Sequence, residues 1–459
     1  MSQIADSKSR VPQSWLSLPI GHVSHVVSGG TPPSKDKSCF TTPGNGIPWL
    51  TPADLSNNKA QHISHGSRDL TEKGFNLCSA QILPTGSVLF SSRAPIGYVA
   101  IAQNPLSTNQ GFKSFALPKE IDSRFIYYQL RHLKAVAETL ATGTTFKELS
   151  GTTAARIPIA LAPINEQRRI ADKLDRVLAR VDTADEHLSR VAPLIKRFQQ
   201  SVLSAATSGK LTSDLRRDNR NAYERLPLSE LASTRLGKML DKKKNTGTLV
   251  KYIRNVNVRW FSFDLSDLLS IRIEPHEVQS LAIQDGDVLI CEGGEPGRCA
   301  VWREGSTDLV FQKAIHRARV DSKLLLPEWL AFCLKHQSNT GEIEDFFTGT
   351  TIKHLTGVSL AKLLIPVPPI EEQCEIVRRV EKLFAFADRL EERVSQAQAA
   401  VQKLTPALLA KAFRGELVPQ DPNDEPASEL LKRLQESRAN DSKPRRARKP
   451  RATSAGEPS

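Results

Sequence analysis

From Ile170 onward the apolar residues fall in alternating steps of four and three: Ile170, Leu174, Val177, Val181, Ala184, Leu188, Val191, Ile195, Phe198, Val202 and Ala205. That spacing is the seam of a helix that packs lengthwise on another helix. A second seam in the same register runs through Ile376, Val380, Leu383, Ala387, Leu390, Val394, Ala397, Val401, Leu404 and Leu408. About 40 residues at 1.5 Å each span about 60 Å, more than a small domain can cover, so the two helices are expected to cover each other. Pairing between two chains is the alternative. Pro193 and Pro406 fall inside the two stretches at positions that do not correspond, and a kink or short break is expected at each. Gly209 and Gly415 suit the C-terminal stops.

Away from the seams the pattern changes. Short β-rich runs such as Val88 to Phe90, Val99 to Ala102, Val288 to Ile290 and Cys299 to Trp302 lie between Gly/Pro turns. One helical stretch follows in each half, near Ser123 to Leu140 and near Pro327 to Phe347. The expected organisation is a first mixed module over residues 13–163, a long helix over 164–211, a second module over 222–369, a second long helix over 370–417 and a disordered basic tail over 436–459. If the ends of the second module lie close together, the second helix returns antiparallel to the first. The modules then sit at opposite ends of the helix pair, related by a pseudo-two-fold.

Comparing the chain with itself supports a duplication. Residues 142–211 align with 348–417 at a constant offset of 206, with 22 identities in 70 positions, where average composition gives about four. The match opens with Thr142-Gly143-Thr144-Thr145-Phe146-Lys147 against Thr348-Gly349-Thr350-Thr351-Ile352-Lys353. It passes through Pro163-Ile164-Asn165-Glu166-Gln167 against Pro369-Ile370-Glu371-Glu372-Gln373. Upstream, Gly86-Ser87-Val88-Leu89 still pairs with Gly286-Asp287-Val288-Leu289. Earlier segments cannot be aligned. Each half therefore joins a similar C-terminal portion to a divergent N-terminal one.

Composition narrows the function. Of 459 residues, 39% are apolar and 25% charged, a globular balance with no apolar stretch long enough for a membrane span, and a cytoplasmic protein is expected. Six cysteines lack metal-ligand spacing and read as buried thiols. The net charge of +13 favours polyanions. From Arg438 onward the tail carries net +5 of it, seven Lys/Arg against Asp441 and Glu457. Residues 235–259 carry eight Lys/Arg against Asp241 alone, a candidate phosphate surface or simply a solvated loop. The nucleophile-elbow, zinc-protease, Walker and kinase patterns are absent, as is the Asn-Pro-Pro type of tetrapeptide that holds a flipped base in amino-methyltransferases. Gly293-Gly294-Glu295-Pro296-Gly297-Arg298 lacks nucleotide-cradling spacing and reads as a tight turn. No metal site is expected, and the chain is not expected to be an enzyme by itself.

The modules do carry the side chains that read duplexes, since Asn and Gln can bond adenine edges while Arg and Lys bond guanine or phosphate. The first-module candidates are Arg93, Asn109, Gln110 and Lys113. Those of the second are Arg254, Asn255, Asn257, Arg259, Arg298, Gln312, Lys313, Arg317 and Arg319. Lys147 and Lys353, equivalent across the repeat, suit sequence-independent phosphate contact or are turn lysines in water.

These residues resemble the specificity subunit of type I restriction-modification systems, the HsdS family, from about Val11 to Pro419. In the first module the resemblance lies in Trp15, Ser28-Gly29-Gly30-Thr31-Pro32, Ile47-Pro48-Trp49 and Gly86-Ser87-Val88-Leu89-Phe90-Ser91-Ser92-Arg93. In the second it lies in Tyr252-Ile253-Arg254-Asn255-Val256-Asn257 and the second Pro-Ile-Xaa-Glu-Gln junction. Arg225-Leu226-Pro227-Leu228 departs from it, with no tryptophan to match Trp15. The resemblance implies an α+β protein with two α/β target recognition domains separated by an intramolecular antiparallel coiled coil. Each domain reads half of a bipartite site in double-stranded DNA, and the helices set the spacer. It also implies two methyltransferase subunits docked on the helices and a restriction/translocase subunit joining for cleavage. S-adenosylmethionine, and ATP with Mg, belong to those partners and no cofactor to this chain. A two-module DNA-binding regulator without methyltransferase partners is the rival reading. A protein-only coiled-coil scaffold and an unrecognised methyltransferase are further rivals.

Overall fold

The computed structural model describes residues 11–56, 58, 60–93, 95–143, 147–216, 223–239, 245–305 and 307–441. The chain divides into two compact units, Met1–Glu186 with Ala399–Ser459, and His187–Gln398. In the first unit the strands are β1 (Leu16–Pro19), β2 (His25–Ser28), β3 (Phe40–Thr41), β4 (Ile47–Leu50), β5 (His62–Ile63), β6 (Arg68–Leu70), β7 (Val88–Phe90), β8 (Val99–Ala102), β9 (Ser107–Thr108), β10 (Lys113–Ala116) and β11 (Pro158–Leu161). One sheet has the order β2-β10-β7-β8-β5, another β3-β6-β4-β9, and β1 pairs with β11. The expected helix after β10 is two helices, α1 (Ser123–His132) and α2 (Lys134–Leu140), interrupted at Leu133. Asp122 caps α1 by accepting from the Arg124 and Phe125 amides, which satisfies donors that the first turn leaves free. The first long helix, α3 (Ile164–Thr207), follows β11.

The second unit holds β12 (Arg225–Pro227), β13 (Ala232–Leu236), β14 (Thr248–Ile253), β15 (Val258–Arg259), β16 (Ser262–Phe263), β17 (Leu269–Ile273), β18 (Val288–Cys291), β19 (Cys299–Val301), β20 (Val310–Phe311), β21 (Ile315–Val320) and β22 (Leu364–Pro366). Its sheets run β13-β21-β18-β19 and β17-β14-β20, with the β12-β22 and β15-β16 pairs beside them. Helix α4 (Pro327–Thr340) ends at Gly341, whose φ of 84° is the left-handed stop that glycine adopts without strain. The second long helix is α5 (Ile370–Phe413), and a last helix, α6 (Ala427–Asp441), closes the described chain.

The long helices follow the seam. Ile170, Leu174, Val181, Ile195 and Val202 of α3 and Ile376, Val380 and Ala387 of α5 are buried. In the first unit Ile170, Leu174 and Leu178 of α3 share a core with Leu409, Ala412 and Phe413 of α5 and with Trp15, Phe90, Phe115 and Phe125 of the module. In the second, Val202, Leu203 and Ala206 join Ile376 and Val380 around Trp329 and Phe332. The beginning of one helix thus meets the end of the other within each unit, which is antiparallel pairing. Both helices run through their prolines without the break allowed for above. The seam is not covered throughout, since Phe198 and Leu404, equivalent across the repeat, are 38% and 44% exposed. An α-helix drifts about 20° per heptad from a 3.5-residue repeat, so the buried stripe moves on to Leu203 and Leu409.

The Glu-Gln pairs of the two junctions are clamps, with Glu166, Gln167 and Gln373 buried and Glu372 nearly so. Gln167 Nε2 donates to the Ala162 carbonyl at 2.8 Å and its Oε1 accepts from the Asp122 amide at 3.1 Å. Gln373 repeats this with the Pro368 carbonyl at 2.8 Å and the Leu326 amide at 2.9 Å, adding the Leu324 carbonyl at 2.8 Å. Each glutamine ties the first turn of a long helix to the start of its module's helix. Trp15 Nε1 donates to Glu166 at 2.8 Å, and Tyr223 donates through its hydroxyl to the equivalent Glu372 at 3.1 Å. Tyr223 therefore fills the place where the second module lacks a tryptophan.

The tail expectation needs correction at its start, because residues 436–441 belong to α6; residues 442–459 lie outside the described residues. Helix α6 buries Ala427, Leu430 and Leu434 in the first core, and Arg438 donates to the His22 carbonyl at 2.9 Å. Helix burial and a backbone anchor outweigh the composition that suggested disorder there.

Candidate nucleic-acid interface

In each module the same three connections converge. In the first, the Asn109 amide donates to the Leu50 carbonyl at 2.8 Å, the Ser92 amide to Gly111 at 2.8 Å, and the Leu149 amide to Ser92 at 3.0 Å. In the second, Gln312 donates to Ile253 at 3.1 Å, Glu292 to Ala314 at 2.9 Å and Leu355 to Glu292 at 2.8 Å. Asn109 thus corresponds to Gln312, Gln110 to Lys313 and Lys113 to His316. A bridge brackets the duplicated threonine segment in each module, Thr142–Glu148 in the first and Thr348–His354 in the second. Glycine is required where the chain crosses this frame: a Cβ on Gly29 would lie 2.1 Å from the Thr108 carbonyl oxygen, and one on Gly237 2.3 Å from that of Phe311. Gly237 is thus the counterpart of Gly29, in a region where the halves do not align by sequence.

The first-module candidates are brought together. Asn109 Oδ1 accepts from the Gly111 amide at 2.9 Å, shaping the turn that presents Gln110. Gln110 is exposed and accepts from the Thr31 hydroxyl. Lys113 is 8% exposed and bonds the Gln110 carbonyl at 3.4 Å. Burial pushes its pKa below the ordinary lysine value, against the pull of Glu148 and with the push of Arg93. Arg93 pairs with Glu148 at 3.5 Å, both half-exposed, and Lys147 beside them is exposed. Glu148 and Thr31 were not named as site residues by sequence, since nothing in their local pattern marks them as neighbours of Arg93 and Gln110. Their part is to hold those two side chains.

The second module divides its candidates into two groups. Exposed or half-exposed are Asn255 and Gln312, whose side-chain amides meet at 3.4 Å, with Lys313, Lys353 and Arg259; Arg259 lies 3.7 Å from Asp264. Four others are engaged by the protein itself, and for the buried Asn257 and Arg317 the expectation of a base contact is corrected. Asn257 is 2% exposed, with its Oδ1 accepting from the Arg254 amide at 2.9 Å and its Nδ2 donating to the Asp264 and Asp267 carbonyls at 2.9 and 3.2 Å. Arg298 is held by Glu295 at 2.9 Å and the Asn255 carbonyl at 2.9 Å. Arg317 is 8% exposed and bonds the Ser280 and Ala282 carbonyls, and burial pushes its pKa down. Arg319 forms a two-pronged pair with the buried Asp287, both bonds at 2.8 Å. Asn257 and Arg317 are thus shut away from a base by burial, while Arg298 and Arg319 are held by carboxylates of their own module. Arg254 is held at 2.6 Å by Asp267, itself exposed, so a competing phosphate can reach that pair.

Of the basic run over 235–259, Arg235 and Lys251 are exposed, Lys238 pairs with Glu277, and Lys242, Lys243 and Lys244 lie outside the described residues. The glycine-rich stretch is a turn, with Gly294 and Gly297 at positive φ. Cys39, Cys291, Cys299 and Cys333 are buried thiols, whereas Cys374 is exposed. Among the described residues no helix is long and apolar enough to cross a membrane.

A frame repeated twice with different exposed side chains fits what the family comparison finds: the model described as the type I restriction modification DNA specificity domain matches residues 12–191 and again 223–397. The chain belongs to this family. Its relatives include the EcoKI specificity subunit of Escherichia coli K12, 28% identical over 94% of this chain and 97% of that protein. The MjaIX specificity subunit of Methanocaldococcus jannaschii is also 28% identical, over 89% and 94%. Among solved structures, the HsdS subunit from Thermoanaerobacter tengcongensis superposes with a TM-score of 0.58 over 89% of this chain and 98% of that one, at 18% identity. A chain from a structural study of type I complex assembly and conformational transition gives 0.64 over 89% and 100%, also at 18%. Both share the fold: two mixed α/β specificity domains with long helices.

Proposed function

We propose that this chain is the DNA-reading subunit of a type I restriction-modification complex and catalyses no step itself. The observation that carries the reading is the repeated frame: two modules hold the same loops by the same backbone bonds and differ in what those loops expose. Two unlike readers in one chain suit a bipartite, non-palindromic site. Gln110 and Arg93 in the first module, and Asn255 and Gln312 in the second, are the base-reading groups. Lys147, Lys313 and Lys353 contact phosphate. The recognition modules are residues 13–163 and 222–369, and the helices over 164–211 and 370–417 set the spacer and receive two methyltransferase subunits. Those subunits bind S-adenosylmethionine, a translocase and nuclease subunit uses ATP with Mg, and the complex works in the cytoplasm.

The test is to express the chain with candidate modification subunits from its own organism, purify the assembly and map methylated bases in the host genome. Methylation confined to one bipartite sequence is expected, and methylation with no sequence preference would refute the reading. Sequence-specific duplex binding by a chain that recruits no methyltransferase would favour the regulator.

A further inference from the structure

Arg68 of β6 lies directly opposite Trp49 of β4. Its guanidinium carbon is 3.9 Å from the Phe40 ring centroid and 5.3 Å from that of Trp49, and the side chain is exposed. Stacking on aromatic faces holds the guanidinium plane while its N–H groups point outward along the edge. Among the described residues no carboxylate or carbonyl accepts from those N–H groups. By contrast, Arg93, Arg254, Arg259, Arg298 and Arg319 each have an acidic partner. The Trp49 indole N–H donates to the Gly30 carbonyl at 3.0 Å, and the next residue, Thr31, donates to Gln110. One aromatic side chain and one turn therefore connect the free guanidinium to the exposed tip of the β9–β10 loop.

The second module repeats the frame with a different side chain. Tyr252 of β14 pairs antiparallel with Leu269 of β17 and parallel with Val310 of β20. Trp49 pairs antiparallel with Arg68 and parallel with Ser107 in the same way. Leu269 thus holds the place of Arg68, and it is 40% exposed. An aromatic residue is kept at the inner position of both pairs, while the outward partner changes from guanidinium to isobutyl. Packing gives no reason for that exchange, because neither outward side chain is buried.

We propose that this strand position reads a base, with Arg68 donating its two-pronged edge to O6 and N7 of a guanine in the half-site of the first module. Leu269 offers the second half-site only an apolar contact of the kind a thymine methyl accepts. The inference rests on the modules being DNA readers.

The test is selection of duplexes from a randomised library by the full chain assembled with its modification subunits, for the wild type, Arg68→Leu, Arg68→Gln and Leu269→Arg. In both Arg68 variants, guanine preference should fall by about five- to 150-fold at one position of one half-site. The other half-site and the spacing should be retained, and their retention reports intact folding. Leu269→Arg should create a guanine preference at one position of the opposite half. An unchanged selected sequence in the Arg68 variants would overturn the inference, as would a uniform loss across all sequences, which marks a phosphate contact. A wild-type assembly that selects no sequence at all would instead overturn the parent reading, and this inference with it.

Discussion

Replacing Asn257 with alanine should damage the fold without altering which base is read, whereas replacing Asn255 should do the opposite. The Asn257 side chain is 2% exposed and makes three bonds to backbone, to the Arg254 amide at 2.9 Å and the Asp264 and Asp267 carbonyls at 2.9 and 3.2 Å. Each buried group left unpaired costs about 1 to 3 kcal/mol. The two aspartates lie on an exposed turn where water can replace part of the loss, so a total of about 2 to 3 kcal/mol is expected. For a unit of this size that lowers the melting temperature by roughly 4 to 12 °C. Among the described residues Asn255 meets Gln312 alone through its side chain, at 3.4 Å, and its removal should cost under about 1 kcal/mol. The assay pairs thermal unfolding of each variant with duplex selection below its transition. Asn257→Ala should bind all duplexes more weakly with the same base preference, and Asn255→Ala should relax one base position. An Asn257→Ala chain that melts like the wild type and changes one base position would refute the division drawn between these two amides.

Further outcomes follow from the clamps, the lysines and the helices. Four donors, from Thr212, Arg216 and Tyr223, converge on Glu372 Oε1; burial pushes this carboxyl's pKa up, but those bonds outweigh it and hold it below the ordinary value. Its stabilisation is present above the unfolded pKa and lost as pH falls through the folded one, so Glu372→Gln should cost about 2 kcal/mol near pH 7 and little in acid, read by unfolding across pH. Burial raises the pKa of the equivalent Glu166 despite bonds from Trp15 and Gln420, so its contribution is greatest in acid and declines as pH rises. Glu166→Gln should therefore change stability by under about 1 kcal/mol at pH 7, and equal losses in the two variants would contradict this contrast. Lys147→Ala and Lys353→Ala should each weaken binding to every duplex and reduce the slope of log K against log salt by about 0.9; an unchanged slope would remove them from the phosphate class. Removing a matched heptad from α3 and α5 shortens each by about 10.5 Å. That should shorten the spacer by about 3 base pairs at roughly 3.4 Å each, and an altered half-site sequence would refute the ruler.

The helices were legible because a seam is a one-dimensional signal: the side chains that must be covered recur at fixed intervals, and the same intervals recur in both halves. What the spacing could not supply is where coverage passes from one partner to another. Phe198 and Leu404 satisfy the period yet stand exposed, while Leu203 and Leu409, one position off it, are buried against the modules. The junction motif was legible as a motif but not as a device. Glu166 and Glu372 occupy the same position, yet one meets an indole and the other a phenol from segments that share no alignable sequence. Conserving a bond does not require conserving the residue that makes it.

The candidate site was legible only as a set of residue types, since Asn, Gln, Arg and Lys equip a loop for DNA and for its own architecture alike. The second module's arginines show which use prevails. Arg298, Arg317 and Arg319 are as cationic as any DNA-reading candidate, but each is turned toward a carbonyl or carboxylate of its own module. Arg68 stands in a segment with Asp69 beside it and no other Lys or Arg within four residues, so charge patterning passes over it. Its distinction comes from strand pairing: β4 and β6 set its guanidinium over two rings and leave its donors without acceptors among the described residues. For a reader of base edges the informative cation is therefore the one whose neighbours hold it in place without neutralising it, and that property belongs to the register of a sheet rather than to the composition of a loop.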